Sequence, residues 1–284
     1  MNVDSWPIGV FASVDAGLGV AWDVIADLKV PTIQLHTPHA GGRDAAAAAK
    51  LKTQLAEMGV RCTCVFGGFD GESYADIPTV VKTIGLVPET TRASRLAEMK
   101  EISDFAKGLD CDAIALHLGF IPEDPNDANY QAIVEVTQEL CDHCENNSQF
   151  LHLETGQETA EGLLTFIDKV ARANLKINFD PANMILYGTG EPIEALRELG
   201  PHVRSVHCKD GTWSDHPGET FGEEVALGEG DVDMAAYLKT LKEIGYEGPL
   251  TIEREIPQDP VRQKAEINKA IELLKKLRSE TLSA

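Results

Sequence analysis

Four apolar runs in this 284-residue chain end in a side chain that can bind a metal ion. Glu154 closes LHLETG, Asp180 closes INFDP, His207 closes SVHCKD and Glu253 closes LTIERE. The intervals are 26, 27 and 46 residues, one strand-and-helix unit each, the last lengthened by a loop. Neighbouring strands lie about 4.8 Å apart, so side chains at one height on four adjacent strands can meet on a single ion. Three carboxylates and an imidazole form a mostly hard, oxygen-rich set. It suits Mn²⁺ or Mg²⁺, with Co²⁺ or Zn²⁺ tolerated through the imidazole. Taken singly, each residue has an ordinary explanation as a helix cap, a surface charge or a hydrogen-bonded core histidine. Four in register inside apolar strands need a shared one, because burying unpaired charge is costly. A divalent cation supplies it.

The elements that position these groups follow from hydrophobic period. Eight short apolar runs read as strands: 7–13, 32–38, 61–69, 113–120, 149–156, 175–181, 203–210 and 249–255. Amphipathic stretches at 43–59, 90–109, 128–144, 159–172, 231–245 and 260–277 read as helices. Thr159 and Asp231 are placed to cap two of them by accepting from orphan N–H groups. Gly245 and Gly248 bracket the turn into the last strand. Eight alternating units in roughly 250 residues predict a closed (β/α)8 TIM barrel, with residues 1–284 as a single domain. A doubly wound open sheet would want a GxGxxG after the first strand, and VFASVDAGLGV lacks it. Two long connections, 70–90 and 211–230, read as lid or binding loops at the C-terminal mouth, where active sites of this fold sit.

The ordered set LHLETG, NFDPANM, SVHCKD, LGEGDVD and GYEGPLTIERE resembles the sugar-phosphate isomerase/epimerase family, the xylose-isomerase-like TIM barrels. The resemblance runs from the first strand to the last helix and is strongest over 149–256. It implies that Glu154, Asp180, His207 and Glu253 bind one divalent metal, and that Glu154 and Glu253 also act as proton donor and acceptor on either face of the substrate. The implied chemistry is proton removal next to a carbonyl. A metal steadies the resulting enediolate, and the proton returns on the other face (epimerisation) or at the next carbon (isomerisation). Lys209 falls in the family's HxKD pattern, able to polarise an oxyanion or to pair with a carboxylate. Asn183 stands where some epimerases of the family carry a second substrate-binding His, whereas some sugar-phosphate epimerases have Asn.

Further residues fall at the mouth. His36 and His117 end the second and fourth strands, each placed to bond a sugar hydroxyl or to hold a loop. Trp213 can wall the site from water or pin its own loop. Two segments could hold a phosphate, GEGD at 228–231 and HAGGRD with Arg43. Glu229 and Asp231 oppose the first, and an Asp cap explains the second.

Composition excludes other classes. Hydrophobic residues make up 43% and charged residues 25%, enough for a sizeable core. Lys and Arg number 25 against 46 Asp and Glu, a formal charge of −21 that repels nucleic acid and anionic membranes. This also argues against a metal-dependent AP endonuclease, which shares the barrel. No basic-then-apolar leader opens MNVDSWPIGV and no membrane-length apolar run occurs, so a cytoplasmic location is expected. Cys62 and Cys64 on a strand, and Cys141 and Cys144 at helical spacing, read as buried thiols, since no second pair completes a zinc site. The partner is then a small sugar or polyol, with room for a homo-oligomer. The first expectation is a metal-dependent isomerase or epimerase. A dehydratase of an inosose- or dehydroshikimate-like substrate is the alternative on the same site, and a non-catalytic sugar-binding barrel a further one.

Overall fold

A computed structural model describes residues 6–283. Eight strands form the barrel: β1 Ile8–Ser13, β2 Thr32–His36, β3 Arg61–Phe66, β4 Ala113–Leu116, β5 Phe150–Glu154, β6 Leu175–Phe179, β7 Val203–Cys208 and β8 Leu250–Ile252. Each runs parallel to its neighbour, and β8 pairs with both β7 (Thr251 opposite His207) and β1 (Ile8 opposite Leu250). That double pairing closes the sheet, so the fold is the (β/α)8 TIM barrel.

Among the described residues ten α-helices accompany it: α1 Trp22–Leu28, α2 Ala45–Met58, α3 Ile77–Thr83, α4 Glu89–Gly108, α5 Ala128–Asn146, α6 Ala160–Val170, α7 Pro181–Tyr187, α8 Pro192–Leu199, α9 Met234–Glu243 and α10 Pro260–Ser283. The four that periodicity does not reveal, α1, α3, α7 and α8, have seven or eight residues each, about two turns. Such segments show too little repeat to stand out. Thus the connection 70–90 contains α3, and the connection 211–230 carries all but the first residue of an antiparallel ribbon, Asp210–Thr212 with Glu223–Val225. Thr159 caps α6 as expected, accepting from Gly162 N–H. Asp231 does not cap α9; Asp233 does, accepting from Ala236 N–H, while Asp231 accepts from Trp213 N–H. Gly245, at φ +74, ends α9 in the left-handed region; Gly248 is not left-handed and packs against Tyr246.

The main core lies between sheet and helices, where Val10, Ile33, Val65, Ile114, Leu151 and Ile177 are buried. All six cysteines are buried free thiols, and burial pushes those of Cys141 and Cys144 up. No described helix is long and apolar enough to cross a membrane.

Inside the barrel the filling is divided. Phe11, Cys64, Phe66, Ala113 and Ala115 make a small apolar cluster. The other side is polar, because β2, β5, β6 and β7 place Gln34, His152, Asn178 and Ser205 inward, two residues before His36, Glu154, Asp180 and His207. These groups form one chain. His152 Nδ1–H donates to Ser205 Oγ (2.8 Å), whose hydroxyl donates to Asn178 Oδ1 (2.6 Å). The same oxygen accepts from Gln34 Nε2 (3.1 Å), leaving Gln34 Oε1 to accept from His207 Nε2–H (2.6 Å).

Burial, with help from the charges of Arg204 and Lys176, lowers the pKa of His152 to about 3. Unfolded, it takes a proton below about pH 6.5. The unfolded state therefore binds the extra proton between these values, and stability falls by about 1.4 kcal/mol per pH unit as pH drops below 6.5. Urea unfolding at pH 7 and pH 5 should show the wild type losing about 2 kcal/mol more than His152→Gln. Equal losses would contradict the neutral buried imidazole.

Candidate active site

The last inward residue of four adjacent strands converges at the C-terminal mouth. Ligand atoms of Glu154 (end of β5), Asp180 (after β6), His207 (β7) and Glu253 (after β8) all lie within 4.8 Å of one another. Among the described residues this is the only such cluster of three or more metal-ligating side chains. All four are at most 6% exposed. His207 Nδ1 stands 2.8 Å from Glu154 Oε1, 3.1 Å from Glu253 Oε2 and 3.3 Å from Asp180 Oδ2. The Phe66 ring stacks on the imidazole at 5.2 Å and Phe11 meets its edge at 5.6 Å, so the ring cannot swing away. Asp180 is fixed by local chemistry: its carboxylate accepts from Asn183 N–H (2.9 Å) to cap α7, with Pro181 at the first helical position. Thr155 Oγ binds both the backbone carbonyl and the N–H of Asp180.

Each glutamate has its own cationic partner. His117 Nε2 lies 3.0 Å from Glu154 Oε2, and Lys209 Nζ lies 3.0 Å from Glu253 Oε2. Burial pulls the His117 pKa down, but the Glu154 charge outweighs it and holds the imidazole at about 9. Burial alone would raise Glu154; the charges of His117 and His207 reverse this and hold it low. Lys209, buried and flanked by Glu253, Glu255 and Glu224, keeps its proton for the same reason.

The donor set fits a divalent ion. In the chain without one, burial disfavours a charged His207, yet Glu253 and Glu154 raise its pKa well above the usual histidine value. Three carboxylates thus demand a cation, and a metal can take the place of the Nδ1 proton. The hydrogen-bond chain supports this, because Gln34 Oε1 claims the Nε2–H and so leaves Nδ1 as the ligating atom. Gln34→Leu should therefore weaken metal affinity about 10- to 100-fold, as loss of a ligand-orienting group does. Titration calorimetry with Mn²⁺ checks it; unchanged affinity would remove Gln34 from the site.

The cluster opens into a cavity of about 310 Å³. Of the five other sequence candidates, His36, His117, Asn183 and Lys209 line it. His36 bonds Thr37 O through Nδ1, and burial lowers its pKa, leaving a neutral imidazole facing the cavity. Asn183 bridges the two glutamate systems, reaching Glu154 (3.4 Å) and accepting from Lys209 (3.3 Å). Trp213 is not among the lining residues. It packs against the main core, and the loop's aromatic contribution to the cavity is Phe221. Arg43 is tied to Glu98 at 2.6 Å, with Asp44 capping α2.

Sequence reading overlooks several lining residues, including Tyr74, Leu186, Tyr187, Glu224 and Glu255. All but Glu255 lie on α7 or in the long connections, where no periodic pattern announces a facing side. Gln34 did carry a signal, as a polar residue two before His36 in an otherwise apolar strand.

The model of the xylose isomerase-like TIM-barrel family matches residues 22–277. A solved structure of a xylose isomerase domain protein from Planctomyces limnophilus is 58% identical, with TM-score 0.96, covering 99% of this chain and 100% of that one. Among curated proteins, an uncharacterized protein of Methanocaldococcus jannaschii is 26% identical over 202 residues, 66% of this chain and 65% of that one. L-ribulose 3-epimerase of Methylomonas sp. is 27% identical over 150 residues, 50% of this chain and 48% of that one. The matches thus span about half to two thirds of the length of these two curated relatives.

Proposed function

We propose, on the premise that the chain belongs to the xylose isomerase-like TIM-barrel family, that it is a divalent-metal-dependent isomerase or epimerase of a sugar. The observation that carries this reading is the pair of glutamates, brought in by the two outer strands of a four-strand cluster, each against its own cation. The L-ribulose 3-epimerase likeness supports it. The donor set puts Mn²⁺ or Mg²⁺ first. Bound by Glu154, Asp180, His207 and Glu253, the ion would hold the substrate's carbonyl and neighbouring hydroxyl and offset negative charge as it develops.

The chain's own residues then move the proton. One glutamate accepts it from the carbon beside the carbonyl; the other delivers one to the opposite face, or to the next carbon. His117 keeps Glu154 ionised and oriented, and Lys209, 3.0 Å from Glu253 Oε2, orients Glu253. Asn183 and the neutral His36 bond substrate hydroxyls. Phe11 and Phe66 exclude water from one side of the cluster.

A panel of ketoses incubated with Mn²⁺, Mg²⁺ or Co²⁺ in D₂O tests this. An isomer or epimer should form with deuterium on carbon. Retention of the original hydrogen would replace proton transfer by a hydride shift. Loss of water, seen as ultraviolet absorbance of a conjugated product, would assign a dehydratase. Binding without turnover of any sugar would leave a non-catalytic barrel.

A further inference from the structure

We infer that the substrate of this site is an uncharged sugar, and that the cavity discriminates against phosphorylated and carboxylated ones. The inference rests on the reading of the site as a sugar isomerase or epimerase and narrows its substrate class.

The first ground is the fate of the barrel's customary anion site. Phosphates in this fold commonly bind the loop after the seventh strand through backbone N–H groups. Here that loop closes around a carboxylate of the protein itself. Asp210 Oδ2 accepts from Gly228 N–H (2.8 Å) and Gly230 N–H (3.1 Å), and Oδ1 accepts from Val232 N–H (3.1 Å) and its neighbour Gly211 (2.9 Å). Gly230 approaches so closely that a side chain there would collide with the Asp210 carboxylate. The four N–H groups that could cradle an outside anion are spent on an inside one.

The second ground is the charge that faces the cavity. Five carboxylates line it, those of Glu72, Glu154, Glu224, Glu253 and Glu255. His117 is committed to Glu154 at 3.0 Å, and Lys209, the only lysine or arginine among the lining residues, is committed to Glu253 at 3.0 Å with Glu255 and Glu224 within 3.9 Å. Arg95 and Arg254, the partners of Glu72 and Glu224, are committed as well: Arg95 to the carbonyls of Thr83 and Gly85, Arg254 to Glu224 (2.8 Å) and Glu266 (3.0 Å). A metal offsets the cluster's own carboxylates, leaving no arginine fork for a phosphate or a second carboxylate. Much of the remaining lining is apolar, with Leu18, Leu186, Tyr187 and Phe221, which suits the C–H face of a neutral sugar.

The test uses the Mn²⁺-loaded protein and matched pairs: D-ribulose with its 5-phosphate, D-fructose with its 6-phosphate, and the unreactive pair sorbitol and sorbitol 6-phosphate. Dissociation constants come from calorimetry. In at least one pair the neutral member should bind 10-fold or more tightly than the phosphate. Glu255→Lys at the rim should narrow that gap several-fold. Phosphates that bind as well as or better than every neutral partner, including no binding by either, overturn the inference, as does a gap that Glu255→Lys leaves unmoved. Turnover of a phosphorylated ketose would sink this inference alone. A neutral preference in binding with no turnover of any sugar would instead sink the proposed reaction.

Discussion

Glu154→Gln and Glu253→Gln are each expected to lower turnover at least about 100-fold, the scale for removing a positioned acid or base. Glutamine keeps the shape and one ligating oxygen but cannot accept or deliver the proton. The two variants should differ in an instructive way. Where the glutamate that first removes the substrate's proton is intact, the enzyme should still exchange that C–H with solvent deuterium while forming no product. The other variant should lose both. Steady-state rates at saturating metal, with deuterium content read by NMR, check this. Near-wild-type turnover in either would remove that carboxylate from the proton path. Their cations give a second handle, since Glu154 and Glu253 hold His117 and Lys209 at 3.0 Å each.

Asp180→Asn is expected to weaken metal binding at least about 100-fold, beyond the 10- to 100-fold seen on losing a residue that merely orients a ligand. The substitution is chosen because Asp180 has two tasks. It faces His207 in the cluster and it caps α7 by accepting from Asn183 N–H. Asparagine also caps helices, so α7 should start normally and thermal unfolding of the metal-free protein should change little. Charge is what is lost. Calorimetry with Mn²⁺ on wild type and variant separates the two tasks, and an affinity within about 3-fold of wild type would remove Asp180 from the donor set.

Much of this is legible in the sequence alone. All eight barrel strands lie where apolar runs were read, because a parallel strand covered by helices shows a continuous hydrophobic stretch. The four cluster residues stood out because ionisable groups closing such runs are rare, and each ended its strand at the same height. What stayed hidden depended on distance across the barrel rather than along the chain. The pairing of Glu154 with His117 joins residues from different strands, and Gln34 meets His207 from the far side of the barrel. The embrace of Asp210 by Gly228, Gly230 and Val232 depends on loop geometry that no period encodes. Trp213 shows the opposite limit: its place in a long loop suggested a wall, yet its ring packs on the core and Phe221 faces the cavity.

The most direct measurement is an anomalous difference map from a crystal grown with Mn²⁺. The account predicts one strong peak per chain, bounded by Glu154, Asp180 and Glu253 carboxylate oxygens and by His207 Nδ1. A map with no peak there at saturating Mn²⁺, or with His207 turned to present Nε2, would contradict it.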